Sequence, residues 1–326
     1  MLVLIQLIME AKNIHYSNEK TRGLLQQKAI KELNEDPARL DEHLLHIRKW
    51  LEKQPHLSVR SDDHTLLTFL RGCKWSLQRA KEKIDYFWTI HSFLPDLYLD
   101  RDPYEETMQR ILRNRVLYPL PNPVRPDGPR ILYLNLKRID FASMPLFDLI
   151  KLFLMCVDVL LQEDENFIIS GMIIMYNGGD LPLSYLLQFT PDLMKKIIIS
   201  LENAYPIRIK ELIWMNCSSA VEKIFNHICI PLMSKKLASR LHLITEENTE
   251  NAYEYVPLTF FPEELGGTNG LFPKVADDWK MKMESKKEWF LEEWKYGANE
   301  KLRPCTSKLY SEEFGMEGTF RKLNLD

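Results

Sequence analysis

The chain is poor in glycine. Twelve glycines in 326 residues leave little material for folds built on glycine-rich phosphate loops. There is no GxxxxGK[ST] loop, no GxSxG nucleophile elbow and no HExxH zinc helix. Cysteine is equally sparse. The five cysteines (Cys73, Cys156, Cys217, Cys229 and Cys305) are scattered and form no CxxC pair. That argues against a zinc ribbon or a disulfide framework and for reduced thiols in a cytoplasmic protein. Neither sign of charge dominates: Lys+Arg total 43 and Asp+Glu 46, a formal net charge of -3. With no global basic field, nucleic acid is not an expected partner, and any anion site must be local. The opening MLVLIQLIME is apolar but too short to span a bilayer, and it lacks the basic flank and cleavage site of a signal peptide. His43 and His46 read as a solvated helix face, and Glu163, Asp164 and Glu165 as a solvated loop. No metal and no cofactor is expected. Without a nucleophile–base pair, the chain is not expected to be an enzyme.

What the chain does have is apolar periodicity. Residues from about 22 to 95 read as helices. One follows Pro37 and carries Leu40, Leu44, Ile47, Trp50 and Leu51. A second starts at the Ser61-Asp62-Asp63 cap, and a third at Ser76. The passage from Pro119 to Pro129 is proline-rich and reads as a connector. Beyond it, strands alternate with helices: ILYLNL (131–136), FIISGMIIMY (167–176), ELIWMN (211–216) and LHLI (241–244). Between the first two lies a helix, about Leu146 to Gln162, that is apolar almost all round and so reads as buried. Another helix follows Pro191, with Leu193, Ile197, Ile198 and Leu201 inward. This alternation predicts a mostly parallel sheet with crossover helices behind an N-terminal helical bundle.

The stretch from Tyr205 to His242 organises the rest. After the strand comes a helix with Val221, Ile224, Phe225 and Ile228 on one face. Pro231 then suits the first turn of a second helix, carrying Leu232, Met233, Leu237 and Leu241, with Lys236 and Arg240 on another side. An apolar face with a basic flank has two readings: an ordinary core helix with solvated lysines, or a movable lid whose basic rim meets anionic lipid. Periodicity leaves both open.

The order of elements resembles the CRAL-TRIO lipid-binding family. RSDDHTLLTFLRGCKWSLQRAKEKI is similar to the family's N-terminal helical module. QFTPDLMKKIIISLENAYPIRIKELIWMN is similar to its central run, and PEELGGTNG to its closing motif. The similarity covers residues 40 to 270, with the tocopherol-transfer-like branch nearest. The resemblance implies a tail at 1–21, an N-terminal helical domain at 22–104, a lipid-binding domain at 105–270 and a C-terminal helix and tail at 271–326. It implies a hydrophobic pocket closed by a gate helix. Its walls would be Phe153, Val157, Ile174, Tyr176, Phe189, Ile197 and Leu201, and the gate would add Phe225, Cys229, Leu232 and Met233.

By motif, Arg208, Lys236 and Arg240 fall on the family's phosphoinositide-contacting positions. A further family arginine falls on Cys73, and Arg71 and Lys74 beside it are expected to complete the phosphoinositide- and membrane-binding surface patch. The family's F-D-L-E-G strand end is replaced by Tyr176-Asn177-Gly178-Gly179-Asp180. The function implied is a monomeric cytoplasmic carrier. It would hold a tocopherol-, retinoid- or other isoprenoid-like lipid and release it at phosphoinositide-containing membranes. The alternative is a phosphoinositide-responsive adaptor using Trp289, Phe290 and Trp294.

Overall fold

A computed structural model describes residues 19–179 and 181–304. The N-terminal segment, Asp180, Cys305 and the end of the tail lie outside the described residues. Helix α1 spans Glu19–Leu33, α2 Leu40–Leu51, α3 Asp63–Gly72 and α4 Leu77–Phe93. The caps sit where the sequence puts them. Asp62 accepts from the Thr65 N–H, and Ser76 from the Arg79 N–H. Helix α2 turns Leu44 and Ile47 inward. It also buries His43, whose Nδ1 accepts from the Trp75 indole at 2.6 Å. That corrects the solvated reading of His43: one histidine of the pair is interior because an indole N–H needed an acceptor.

Five strands form the main sheet in the order β2 (Leu117–Pro119), β3 (Arg130–Asn135), β4 (Met172–Asn177), β5 (Ile209–Met215), β6 (Leu241–Leu243). β2 is antiparallel to β3, and the other pairings are parallel. Parallel neighbours need crossovers. Helix α5 (Glu106–Arg113) precedes the sheet. α6 (Leu146–Glu163) and α7 (Glu165–Ser170) link β3 to β4, and α8 (Pro191–Ile199) links β4 to β5. The link from β5 to β6 is the gate, α9. It runs as Ser219–Ile224, a π turn Phe225–Cys229, and Ile230–Leu232. A small pair, β1 (Leu57–Ser58) with β7 (Gly297–Ala298), ties the C-terminal segment to the helical module. Helices α10 (Phe272–Ser285) and α11 (Lys287–Leu291) stand where the sequence predicts one helix.

Three expectations change. The stretch 167–176 is not one strand. Asp164 caps a short helix by accepting from the Phe167 N–H, and Gly171, at φ 86°, turns the chain into β4. A Cβ on Gly171 would stand 2.2 Å from the Arg208 carbonyl, so only glycine fits. The acidic cluster is not a solvated loop. Asp164 is buried against Arg130 at 2.5 Å, and Glu163 pairs with Lys282 at 2.7 Å and with Lys286. Of the C-terminal aromatics, Phe290 is buried, Trp289 half-buried under Arg60, and only Trp294 is exposed. Their helical spacing turns them to different sides.

Among the described residues, no helix is long and apolar enough to cross a membrane, and no cluster of His, Cys, Asp and Glu could hold a metal ion.

Candidate functional site: the gate, its wall and its basic rim

Side chains alternate along a strand, so Ile174 and Tyr176 share one face of β4. The register places Leu212 beside Ile174 and Trp214 beside Tyr176. Tyr176 stacks on Trp214 with centroids 4.7 Å apart and planes at 17°. Trp214 in turn meets the edge of Phe225, at 5.0 Å and 70°. The gate therefore lies over this face. The opposite face carries Tyr133, which contacts Tyr118; Tyr118 meets Phe272 of α10. Cys229, one turn beyond Phe225, is close enough to Tyr176 to act on its hydroxyl. Burial raises both groups, the thiol to about 11.

Tyr176, Phe225 and Cys229 thus come together, with Ile174 on the same face of β4. Trp214 belongs with them and was missed, although its alternation with Leu212 was readable. Phe153 and Val157 are fully buried in the main core. Phe189 meets the edge of Tyr185 at 6.4 Å and 68°.

The gate differs from its expected form. Helix α9 passes through Pro231 instead of restarting there. The π turn before it shifts the hydrogen-bond register, so the proline's missing N–H costs little. The break comes at Met233, whose ψ is 148°. Ser234 then caps a four-residue helix, Lys235–Ala238. Leu237 is buried on that turn and Leu241 lies in β6, so they do not continue the face of Leu232 and Met233. Helix α8 also ends in a π turn, Ser200–Ala204. Along these facing elements Leu193, Ile197, Leu201, Ile224, Ile228, Leu232 and Met233 remain only half-buried, whereas nearly every apolar residue of α6 is sealed.

The cations divide. Lys236 and Lys74 are exposed. Arg240 is half-buried and donates to the Ile209 carbonyl. Arg208 donates to the carbonyls of Ile168, at 2.8 Å, and Ile169, closing the end of α7. Its Nε and Nη1 are buried without a partner, and burial lowers its pKa to about 10. Arg71 departs from the expected surface patch: it is buried in a two-pronged pair with Glu35, at 2.8 and 3.1 Å. Its position on the inner face of α3 takes it there. Lys83 was not foreseen. It donates to the carbonyls of Glu202, at 3.0 Å, and Tyr205, at 2.8 Å. Burial lowers its pKa to about 8, with Lys236 near enough to lower it further. Its spacing, three after Ala80 and four before Phe87, already placed it beside an apolar face.

Residues 123–267 match the CRAL/TRIO domain and residues 36–108 the Pinta-like UBA domain. The chain thus carries a CRAL/TRIO domain. An alpha-tocopherol transfer protein-like chain of Mus musculus is 27% identical over 267 residues, covering 82% of this chain and 76% of that protein. Clavesin-1 of Rattus norvegicus is 24% identical over 251 residues, covering 74% of this chain and 68% of that protein. A crystal structure of Sfh5 covers 80% of this chain and 92% of that chain, with a TM-score of 0.44 and 11% identity.

Within this CRAL-TRIO chain the altered strand end is satisfied. Asn177 donates to the Tyr133 hydroxyl at 3.1 Å and accepts from Asn216 at 2.7 Å. Gly178 is needed there, since a Cβ would sit 2.4 Å from the Trp214 indole nitrogen. Two further residues of interest carried no sequence signal. Leu183 and Leu187, on the short helix Leu183–Leu186 and just past it, are 70% and 71% exposed. A cavity of about 40 Å³ lies elsewhere, where the helical module, α6 and the C-terminal segment meet. His91, Asp158, Glu293 and Arg60 line part of it. It has room for a few waters, not for a lipid.

Proposed function

We propose that this chain carries a hydrophobic small molecule between membranes, holding it between the sheet and the gate and releasing it at an anionic surface rich in phosphoinositide. The family supports the lipid-binding part. One observation favours the rest. Tyr176 lies on the central strand of the sheet and still keeps part of its surface uncovered. A central strand between two covered faces does not normally do so. Its ring is turned toward the gate through Trp214 and Phe225. The half-buried apolar rows of α8 and α9 face the same way. Apolar surface left over on both walls suits a guest better than a finished core.

The energetics explain why a gate is needed. Burying about 20 carbons at about 0.8 kcal/mol each is worth more than ~10 kcal/mol. Escape into water is then very slow, so release requires contact with a bilayer. Lys236 and Arg240 follow the gate in the chain and keep surface exposed, and each cation near an anionic leaflet contributes about 1 kcal/mol. Leu183 and Leu187, exposed just before α8 in the chain, supply apolar anchors. The expected site of action is the cytoplasm, with reversible membrane attachment. Purification from cells, followed by organic extraction and mass spectrometry, tests the proposal. One apolar species near equimolar amount is expected. A protein that copurifies with no such species, and takes up no fluorescent tocopherol or retinoid analogue, is not a carrier.

A further inference from the structure

Helix α1 does not join the main core. Its inward residues Leu25, Ala29 and Leu33 form a small hydrophobic cluster with Ile169 of α7, separate from the main core. So small a contact opens at far lower cost than the core beneath it.

What α1 lies over is basic. Arg71, Arg208, Lys210 and Arg240 come from three separate stretches of chain, and α1 adds Lys28, which donates to the Asp127 carbonyl at 2.8 Å. The charges acting on Lys210 are Arg208, Glu32, Lys28 and Arg240. Asp127 meets Lys28 at 3.7 Å, and further acids that answer this cluster belong to α1 and the turn that ends it. Glu35 grips Arg71 with both oxygens. It is itself held by α1, since its N–H donates to the Ala29 carbonyl at 3.2 Å and Gln26 donates to its carboxylate at 3.1 Å. Glu32 stands 3.9 Å from Lys28, and its charge reaches Arg208, whose Nε and Nη1 are buried without a partner. A buried guanidinium with donors to spare is incompletely satisfied by what covers it.

We propose that α1 is an autoinhibitory strap: Glu35 occupies the position of an anionic headgroup at Arg71, beside Arg208, and docking on an anionic membrane displaces it together with the rest of α1. This rests on the membrane-release reading above. A phosphate group offers more charge and more acceptor oxygens than a carboxylate, so exchange is favourable only where the bilayer supplies it. Displacement uncovers cations that the resting chain hides, which keeps the free protein from binding other anions.

The full chain is tested on phosphatidylcholine vesicles containing phosphatidylinositol bisphosphate. Hydrogen exchange across residues 19–33 should accelerate on binding. Glu32→Gln/Glu35→Gln should bind about fivefold tighter or more, while neutralising the exposed Glu42 and Glu106 should have no comparable effect. Glu35→Gln leaves Arg71 without its partner and can misfold. Leu25→Asp, which undocks α1 without touching the main core, is the second variant and should also bind more tightly. Unchanged protection of 19–33 and unchanged affinity in both variants, with Lys236→Ala/Arg240→Ala still weakening binding, would overturn the strap and leave the docking reading intact. No effect of Lys236→Ala/Arg240→Ala would remove the docking reading, and the strap with it.

Discussion

Glu202 holds Ser234. One carboxylate oxygen accepts the Ser234 backbone N–H at 3.0 Å and the other accepts its hydroxyl. Glu202 sits in the π turn that ends α8, and Ser234 is the cap that follows the break at Met233. The two therefore join the wall to the hinge of the lid. Lys83 braces the same turn from the helical module. Glu202→Gln, or Ser234→Ala, should open the gate more often. Loss of a charge-assisted bond at a half-exposed site is worth about 1 kcal/mol, so ligand exchange should speed up about fivefold. Stopped-flow transfer of a fluorescent ligand measures this. An unchanged rate means the contact is not a latch.

The basic rim should govern delivery and not retention. Lys236→Ala/Arg240→Ala removes two cations, each worth about 1 kcal/mol near an anionic surface. Transfer to phosphoinositide vesicles should fall about tenfold or more, and bound ligand should survive gel filtration. Because exposed charges are screened by salt, the deficit should shrink as ionic strength rises. Equal transfer by both proteins would count against the rim.

Leu183 and Leu187 should anchor the docked protein. Both are too exposed to matter for folding. Leu183→Asp/Leu187→Asp should leave the melting temperature unchanged. Each leucine inserted into lipid is worth about 1.5–3 kcal/mol, so sedimentation with vesicles should drop by at least about tenfold. Undiminished sedimentation would move the membrane face elsewhere.

Glu293 carries a pH dependence. It faces His91 at 3.4 Å, Arg60 at 3.1 Å and Arg101 at 3.6 Å, and Asp158 meets Arg101 at 2.5 Å. These partners overcome the cost of burial and hold the Glu293 carboxyl at about 2, below its ordinary 4.5. A folded pKa lower than the unfolded one stabilises the fold above the unfolded value. That contribution is therefore complete above pH 4.5 and is lost as pH falls toward 2. Glu293→Gln should cost about 3–5 kcal/mol at neutral pH, because it strands buried arginines. It should also flatten the acid limb between those values. Urea titrations of both proteins across that range decide the matter. A parallel acid limb would exclude Glu293 as its source.

Much of the architecture was legible because it is local. The Asp62 and Ser76 caps, the apolar spacing of α2 and the fully apolar α6 depend on residues within a turn or two of one another. Likewise Ile174, Tyr176, Phe225 and Cys229 could be named from periodicity and family motif. The 167–176 stretch misled for the opposite reason. Eight apolar residues, interrupted only by Ser170 and Gly171, read as strand, and only the Asp164 cap and the left-handed Gly171 divide them. Pro231 misled because a π turn, invisible in composition, absorbs its missing N–H.

The sequence by itself determined the order of helices and strands, the parallel crossovers and the greasy stretch over the sheet, since caps, turns and periodicity act over a few residues. Only the tertiary structure decided which charges are free. Arg71 finds Glu35 across 36 residues, and Asp164 finds Arg130 across 34. Glu202 reaches Ser234 across 32. A charge removed from water must be answered by whatever the fold brings beside it, and that neighbour is set by the packing of distant elements, not by the residues next in line.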